Sequence, residues 1–446
     1  MTDACIQLTA TSSPSRGELY VTQVLAHSGR SASRPAQSHS CRFCEAPLEH
    51  TVVDLGMSPP CESFLTANQL NQIEVFYPLH VFVCDQCLLV QLPEHVDPRD
   101  IFREYAYFSS YSQSWVEHAR RYTELITERL RLGSESFVVE LASNDGYLLQ
   151  HFVERGIPAL GIEPARNVAA AAVAKHVPTL TEFFGLKLAG QLVREDRRAD
   201  LVIGNNVLAQ VPDLNDFVAG IRTLLAPDGV ATLEFPHLVR LFEGNQFDTI
   251  YHEHYSYFSL LSARRIFAAH DLVLFDVEEL PTHGGSLRTY FRHKSDATKP
   301  IAPAVDAMLA AEVRAGFDRL PRYLSFGPEV QRAKRQLLSF LIRAKEKDKQ
   351  VVGYGAPGKG NTLLNYCGIR TDLLEYTVDR NPYKHGRFLP GTHIPIYDPT
   401  RIAETRPDYV LILPWNLKQE VMAQMAHVRD WGGRFVVAVP RLEVVP

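Results

Sequence analysis

The segment FDTIYHEHYSYFSL, from Phe247 to Leu260, gathers two histidines, a glutamate and three tyrosines within a few residues of a predicted loop. Imidazole is the side chain whose ordinary pKa suits acid and base chemistry near neutral pH. A neighbouring carboxylate or phenol can orient such a ring or hydrogen-bond a reacting oxygen. With the three further sites below, the segment indicates an enzyme that moves a small group onto a large, phosphate-bearing substrate.

The two histidines of this segment are not expected to be equivalent. Alternating residues on a strand face opposite ways, so one of His252 and His254 is expected only to pack or to hydrogen-bond. An aromatic cluster is also more often core than active site. A place in the core is therefore the alternative for Tyr255 and Tyr257.

Two Cys-x-x-Cys pairs lie near the N-terminus. Each pair puts two thiolates on one tight turn, and two such turns complete the tetrahedral four-sulfur shell that Zn²⁺ prefers. A shell filled by protein leaves no position for substrate, so this metal is expected to stabilise a small module. The alternatives are chance spacing among the seven cysteines or a nearby histidine in place of one of them. The predicted ligands are Cys41, Cys44, Cys84 and Cys87.

The segment FVVELASNDGYLL, from Phe137 to Leu149, is predicted to be a strand, a turn and a helix. Such a turn can hold a cofactor, and Gly146 is expected to allow close backbone approach to it. Glu163 ends the next predicted strand, 23 positions after Glu140, where a carboxylate can accept hydrogen bonds from ribose hydroxyls. Acidic groups around the turn disfavour a pyrophosphate but tolerate a sulfonium, so S-adenosylmethionine suits the site better than NAD. The alternative is an ordinary strand, turn and helix without a ligand, because this turn has one glycine where many methyltransferases have two or three. The predicted cofactor-binding residues are Glu140, Ser143, Asp145, Gly146, Glu163, Asn205 and Asn206.

A second glycine-rich turn, VVGYGAPGKGNT, follows a predicted strand and precedes a predicted helix. Gly353, Gly355 and Gly358 match the G-x-G-x-x-G spacing of dinucleotide-binding turns. Asp379 ends the next predicted strand, and Lys359 adds positive charge. The pattern is weak on its own, and close packing of the turn is the alternative.

The chain has 446 residues, enough for two or three domains with buried cores. Its net charge of −5 gives no electrostatic reason to expect nucleic acid or an anionic membrane as partner. No apolar run approaches the roughly 20 residues needed to cross a bilayer, and a secretory signal is not evident. A cytoplasmic protein is therefore expected.

Short apolar runs alternate with helical stretches in two parts of the chain, which predicts two parallel α/β sheets. Residues 1–38 have the composition of a disordered extension. The predicted strands are residues 76–83, 137–141, 159–162, 201–204, 230–235, 351–354, 374–378, 409–413 and 434–439.

Six features of the chain, taken in order, resemble those of one enzyme family. They are the four-cysteine module and the motifs ELASNDG, GIEP, NNVLAQVPDLNDF, YHEHYSYF and GYGAPGKG. This family is the sugar C-methyltransferases that act on nucleotide-linked 4-keto-6-deoxyhexoses, and the resemblance covers about residues 39 to 440. The expected fold class is α/β, with three parts after the extension. They are a zinc-binding module at residues 39–111, a class I methyltransferase-type Rossmann-like domain at 112–295 and a second Rossmann-like domain at 296–446.

Methylation of carbon needs a carbanion equivalent, and a C–H beside a ketone supplies one because its conjugate base is an enolate. The resemblance implies that His254 is the general base, with Glu253 and Tyr251 orienting it or the sugar. It also implies that a tyrosine of EYAYFSS reaches the site from the N-terminal module. Spacing from the cysteines favours Tyr107 over Tyr105 for this role.

One position departs from the family pattern, because Gln210 stands where relatives have a histidine. Glutamine can donate a hydrogen bond but cannot carry a proton at neutral pH. A proton-donor role at this position would be lost or moved to His252 or a tyrosine. Elsewhere in the chain, the sequence HGGSLR at residues 283–288 follows a strand-like run and could bring backbone N–H groups and the cation of Arg288 to the substrate. A surface position is the alternative for Arg288.

Because the first turn is assigned to S-adenosylmethionine, the C-terminal domain is expected to hold the nucleotide diphosphate of the sugar. Residues Asn381 to Arg387 and Pro390 to His393 are expected to help. The predicted substrate-binding residues are Tyr105, His252, Gln210, Arg288, Gly353, Gly355, Gly358, Lys359, Asp379 and Lys384.

Three hypotheses from different classes follow. The favoured one is a zinc-stabilised, S-adenosylmethionine-dependent C-methyltransferase acting on a nucleotide-linked keto sugar, at C3 beside a 4-ketone. The second is an NAD(P)-dependent oxidoreductase that uses the C-terminal glycine turn. The third is a non-catalytic binding protein whose four-cysteine module docks a partner.

Overall fold

The computed structural model describes residues 39–102 and 108–446, leaving aside the side chains of Asp100 and Ile101. The expected disordered extension at 1–38 lies outside the described residues, and so do Tyr105 and Tyr107. Each predicted strand overlaps an observed one, whereas the predicted domain boundaries stay predictions. No helix in the described part of the chain is long and apolar enough to cross a membrane.

The N-terminal module has a small antiparallel sheet of β1 (His50–Ser58), β2 (Tyr77–Val83) and β3 (Val90–Gln91). Its two Cys-x-x-Cys turns have the same backbone geometry. Glu45 N donates to Cys41 O and Leu88 N donates to Cys84 O, both at 2.9 Å. Glu45 and Leu88 have φ angles of 64° and 62°, so both chains reverse through the left-handed region. The two turns therefore present their cysteines in equivalent ways.

A seven-stranded sheet forms the middle of the molecule, in the order β10-β11-β8-β7-β4-β5-β6. Strands β4 to β8 run parallel, while β11 pairs antiparallel with both β8 and β10. Every residue of β4 and β5 is buried, as expected for parallel strands covered on both faces. The strands of this part, together with β9, are β4 (Val138–Leu141), β5 (Ala159–Ile162), β6 (Thr179–Leu180), β7 (Ala199–Asn205), β8 (Leu225–Pro236), β9 (Ser256–Tyr257), β10 (Leu272–Leu280) and β11 (Ser286–His293). The helices up to this point are α1 (Pro98–Phe102), α2 (Gln113–Leu130), α3 (Gln150–Val153), α4 (Arg166–Ala174), α5 (Leu186–Arg194), α6 (Leu214–Leu224), α7 (Leu238–Glu243) and α8 (Leu260–Ala269).

A six-stranded sheet near the C-terminus has the order β14-β13-β12-β15-β16-β17 and is parallel except for β17. Its strands are β12 (Val351–Tyr354), β13 (Thr377–Val378), β14 (Ile396–Tyr397), β15 (Tyr409–Ile412), β16 (Arg434–Val437) and β17 (Glu443–Val445). The helices of this part are α9 (Pro303–Arg314), α10 (Leu320–Leu324), α11 (Phe326–Lys345), α12 (Gly358–Cys367), α13 (Thr400–Thr405) and α14 (Lys418–Gln424).

One apolar core joins the N-terminal module to the C-terminal sheet. It contains Val81 of β2, Leu337 and Leu341 of α11, and Leu411 of β15, all of them fully or almost fully buried. Truncating one such leucine to alanine typically costs about 2–5 kcal/mol. The shared core therefore fixes the module against the sheet that begins at β12.

Strand β9 ties the histidine-containing loop to the module. Val90 of β3 pairs with Tyr257, and Leu92 N donates to Tyr255 O at 2.9 Å. Tyr255 N donates to Ala209 O at 2.7 Å, in the loop that follows β7. The loop before β9 is thus held between the module and the edge of the central sheet.

Candidate active site

A cavity of about 1530 Å³ opens where the three parts of the molecule meet. Its walls come from the carboxyl ends of β4, β5 and β7, from the loop around His254, and from the start of α12. Ligands of α/β proteins bind at this edge of a parallel sheet. A pocket for one drug-sized ligand measures about 300–1,000 Å³, so this cavity has room for two.

Glu163 lies on the cavity wall just beyond β5. Its Oε2 accepts a hydrogen bond from Asn144 N at 2.9 Å, and its Oε1 accepts one from Ala165 N at 2.8 Å. Burial raises the pKa of Glu163, and these two N–H groups oppose the rise. Because each carboxylate oxygen has a second lone pair, the fixed side chain can accept further hydrogen bonds from ribose hydroxyls.

Asn205 and Asn206 follow on the same wall, at the end of β7. Both amide atoms of Asn205 and the amide oxygen of Asn206 are buried with no hydrogen-bond partner in the described part of the protein. An unsatisfied buried polar group costs about 1–3 kcal/mol. A bound nucleoside would supply the missing partners, so these residues and Glu163 fit S-adenosylmethionine.

The other four predicted cofactor residues lie behind the cavity wall. Asp145 accepts a hydrogen bond from Lys175 Nζ at 3.0 Å, which pairs its charge within the protein. Burial raises the pKa of Glu140 well above its usual value, and nearby Glu163 and Asp145 add to the rise. A Cβ on Gly146 would lie 2.9 Å from the side chain of Val177, so the expected close approach to a ligand is a contact with protein instead. The four residues are Glu140, Ser143, Asp145 and Gly146.

The His254 ring is partly buried and lines the same cavity. Its Nδ1 lies 3.2 Å from Thr249 O, and because a carbonyl can only accept, the ring proton is on Nδ1. Burial lowers the pKa of His254 to about 4, with further lowering by His283 and Lys359 and opposition from the Thr249 carbonyl. The ring is therefore neutral at pH 7, and the lone pair of Nε2 is left to accept a proton.

The residues around His254 also reach the cavity. The chain from Tyr251 to Tyr255 is not a strand, so the expected alternation of His252 and His254 does not hold and both line the cavity. His252 packs edge-on against Tyr77 of the module, with ring centroids 5.8 Å apart. Glu253 is buried beside it on the same wall.

The tyrosines of this segment divide between cavity and core. The ring centroid of Tyr251 lies 4.2 Å from that of His254, on the cavity wall. Tyr255 is fully buried and its hydroxyl donates to Val96 O at 3.1 Å, which favours the core alternative for this residue. Tyr257 is buried in the module core and also borders the cavity.

Two other residues singled out in the sequence have different surroundings. Gln210 lies on the cavity wall, in the short helical turn after β7. Arg288 is 4% exposed, so the surface alternative is wrong. Its guanidinium lies 3.1 Å from carboxylate oxygens of both Glu234 and Glu278, and over the ring of Tyr122. Two carboxylates therefore already neutralise this cation.

The glycines of the second turn are held against protein atoms. Added Cβ atoms would lie 2.6 Å from Thr377 Oγ1 at Gly353, 2.5 Å from a Pro414 ring carbon at Gly355, and 2.8 Å from Cys61 Sγ at Gly358. These contacts favour the close-packing alternative for Gly353 and Gly355, whereas Gly358 also borders the cavity.

The charged residues near this turn are also engaged within the protein. The carboxylate of Asp379 accepts hydrogen bonds from Ala356 N at 2.7 Å and Asn381 N at 2.8 Å. Lys384 Nζ donates to Ala356 O at 2.8 Å, and Lys359 Nζ donates to Asn416 Oδ1 at 2.8 Å. Both lysines line the cavity, together with Glu62, whose carboxylate lies 3.8 Å from Lys384 Nζ.

The four predicted cysteine ligands converge on one point. Their sulfur atoms all lie within 4.8 Å of one another. The Sγ distances from Cys41 to Cys87 and from Cys44 to Cys84 are both 3.5 Å. A tetrahedral Zn²⁺ with ligands at about 2.3 Å separates its sulfurs by about 3.8 Å, so the cluster fits that ion.

Three family models match successive parts of the chain. They are described as a zinc binding domain at residues 41–102, a methyltransferase domain at 115–277 and a C-methyltransferase C-terminal domain at 281–440. The chain is also similar to C-methyltransferase NovU of Streptomyces niveus, with 36% identity over 405 residues. That match covers 91% of this chain and 96% of NovU.

The chain belongs to the C-methyltransferase family.

This membership decides among the three function classes in favour of the S-adenosylmethionine-dependent C-methyltransferase. It also agrees with the mixed α/β architecture and with the four-cysteine cluster near the N-terminus.

Solved methyltransferase structures resemble part of this C-methyltransferase. Magnesium protoporphyrin IX methyltransferase from Synechocystis PCC 6803 has 14% identity and a TM-score of 0.33, covering 45% of this chain and 99% of that one. An S-adenosylmethionine-dependent methyltransferase from Clostridium acetobutylicum has 10% identity and a TM-score of 0.34, covering 40% and 92%. These scores are too low to support an argument about the site.

Several residues of the C-methyltransferase cavity were missed from the sequence. Trp115 and Tyr147 line it beside the cofactor edge, and His283 lines it beside Lys359. Asn144 reaches it from a left-handed conformation with φ of 49°. Only Asn144 could have been found from the sequence. It lies in the turn of the ELASNDG motif, and asparagine tolerates the left-handed conformation better than most residues.

Proposed function

We propose that this C-methyltransferase acts on a nucleotide-linked 4-keto-6-deoxy sugar. In this proposal it removes a proton from the carbon next to the ketone, at C3, and methylates the resulting enolate carbon. The observation that carries the proposal is the neutral imidazole of His254, fixed through Nδ1 on Thr249 O and facing the same cavity as Glu163 and Asn205.

The reaction begins with proton removal from carbon. Nε2 of His254 accepts the proton, and the C–H electron pair is delocalised onto the carbonyl oxygen as an enolate. Tyr251 and Glu253 orient the ring or the sugar, and Gln210 and His252 contact the substrate from the same wall. S-adenosylmethionine, when bound, supplies the methyl group that the enolate carbon acquires. Tyr107 and Tyr105 keep their expected roles in catalysis and sugar binding.

The cofactor and the nucleotide occupy different ends of the cavity in this proposal. Glu163 and the amides of Asn205 and Asn206 hold S-adenosylmethionine at the edge of the central sheet. The diphosphate of the sugar nucleotide lies at the opposite end, near the ammonium groups of Lys359 and Lys384. The glycine turn supports this end by fixing the start of α12.

We further propose that Zn²⁺ binds the four cysteines. Four thiolates fill its tetrahedral shell, so the ion stabilises the module and does not contact substrate. Metal analysis of the purified protein is expected to find one zinc per chain. A protein that contains no zinc and keeps its melting temperature with a strong chelator would contradict this assignment.

The direct test supplies the purified enzyme with S-adenosylmethionine carrying a ¹³C-labelled methyl group and a panel of nucleotide-linked 4-keto-6-deoxy sugars. The corresponding 4-hydroxy sugars are the control, because their C3–H is not acidified by a ketone. We expect NMR to show a new C–C bond at C3 of a keto sugar only. Transfer to oxygen, or transfer to no member of the panel, would overturn the proposal.

A further inference from the structure

The short helical turn Thr282–Gly284 places a third imidazole in the cavity. The His283 side chain is surrounded by protein but remains accessible to solvent from the cavity, which it lines together with His254 and Lys359. Its ring has no hydrogen-bond partner among the residues that the structure describes.

The backbone at His283 is held in an unfavourable conformation. Its φ and ψ angles are 54° and 21°, in the left-handed region that residues other than glycine rarely adopt. Gln246 Nε2 donates to Gly284 O at 2.9 Å, and Gly285 N donates to Thr282 O at 2.8 Å. Such strain costs about 1–3 kcal/mol and persists where the surroundings fix the residue, which is common at functional sites.

The next two residues show how tightly the turn is held. A Cβ on Gly284 would lie 2.7 Å from a ring carbon of Trp415, and a Cβ on Gly285 would lie 2.7 Å from Arg240 Cγ. The turn is therefore packed against two neighbouring segments, and the position of the imidazole is defined.

His283 is close to both the cofactor edge and the base. Its ring lies edge-on to Trp115, with centroids 5.1 Å apart, and Trp115 stacks on Tyr147 at 6.2 Å, just after the cofactor turn. His283 and His254 line the same cavity, and a positive charge on His283 would lower the pKa of His254, so the two rings are within electrostatic reach. Burial lowers the pKa of His283 itself to about 4, and Lys359 and His118 lower it further while Glu234 opposes them.

We propose that His283 donates a hydrogen bond to the carbonyl oxygen of the acceptor while His254 removes the neighbouring proton. This inference rests on the proposed function. The C–H bond breaks, its proton goes to Nε2 of His254, its electron pair forms the C=C bond, and the π pair of C=O moves to oxygen. His283 keeps its N–H proton throughout. The imidazole thereby supplies a hydrogen-bond donor to the enolate oxygen. Gln210, which also lines the cavity, offers only an amide N–H.

The test measures exchange of the acceptor's acidic C–H in deuterated water, with S-adenosylhomocysteine present so that no methyl transfer occurs. His283→Gly removes the ring and relieves the backbone strain. We expect its exchange rate to fall about 100- to 1,000-fold, as for loss of an oxyanion donor, with KM for the keto sugar within about threefold. His283→Asn suits the left-handed backbone and keeps an N–H donor, so it should recover part of the rate.

His176→Gly is the matched control, because His176 is an exposed histidine with φ of 63° outside the cavity. Its exchange rate and melting temperature should match those of the wild type. Exchange by His283→Gly within about twofold of wild type would overturn the inference and leave the proposed function intact. A loss that follows the melting temperature and is not recovered by His283→Asn would also overturn it. Absence of exchange in the wild type with every keto sugar would instead overturn the proposed function, and this inference with it.

Discussion

The two sheet edges that carry the cofactor turn and the glycine-rich turn differ in what satisfies their polar groups. At the edge of the central sheet, the amides of Asn205 and Asn206 after β7 lack hydrogen-bond partners among the described residues, and Glu163 after β5 keeps free lone pairs. At the edge of the C-terminal sheet, the Asp379 carboxylate after β13 already accepts two backbone N–H groups, and Gly353 and Gly355 at β12 are packed against other side chains. The first edge therefore has polar groups that are open to a ligand, whereas those of the second edge are satisfied by protein.

The comparison shows that glycine spacing alone does not identify a ligand site. The G-x-G-x-x-G pattern is the more complete of the two, yet its glycines permit close contacts within the protein. The unsatisfied amides of Asn205 and Asn206 lie instead at the sheet edge that carries the turn with a single glycine. What distinguishes a binding turn is therefore the set of polar atoms that folding leaves without partners.

The largest expected effect in this comparison is on cofactor affinity. Glu163→Ala removes the acceptors for the ribose hydroxyls. Because a hydrogen bond to a charged group is worth about 1.5–3 kcal/mol, the Kd for S-adenosylmethionine should rise about 100-fold. Titration calorimetry measures this directly. Asp379→Asn, the equivalent change at the second turn, should leave that Kd within about twofold. Equal effects of both substitutions would show that the two turns do not differ as described.

A smaller effect is expected on stability at the second turn. Gly353→Ala forces a methyl group against Thr377, and overpacking of this kind costs about 1–3 kcal/mol. Gly133→Ala is the control, because a Cβ there has no heavy atom within 4 Å. Denaturant unfolding should show a lower midpoint only for Gly353→Ala, with S-adenosylmethionine affinity unchanged in the folded protein. An unchanged midpoint for Gly353→Ala would mean that the turn is not closely packed.

The smallest expected effect is that of pH on the activity that depends on His254. His254 must be deprotonated to act as a base, so activity is lost as pH falls through its pKa of about 4. Between about pH 5.5 and 8 its protonation should change kcat/KM by less than about twofold. A base with an ordinary pKa of about 6.5 would lose about 90% of its activity at pH 5.5. An acid limb near pH 6.5 would therefore contradict the assigned environment of His254.

Much of the architecture and part of the site could be predicted from local patterns. The cysteine spacing, the apolar runs and the acid at Glu163 each depend on a few adjacent residues. The surroundings of Arg288 could not be predicted, because they depend on the register that pairs it with Glu234 on β8 and Glu278 on β10. The place of His283 beside Trp115 also joins segments far apart in the chain, and its sequence context shows only a histidine before two glycines.

The central claim is that the His254 imidazole takes a proton from carbon in a cavity that also holds the methyl donor. The most direct measurement is deuterium exchange at the acceptor's acidic carbon by His254→Gln, combined with calorimetry of S-adenosylmethionine binding. The account predicts that exchange falls at least about 100-fold, as for loss of a general base, while cofactor affinity stays within about twofold of wild type. Exchange by His254→Gln at the wild-type rate would contradict it.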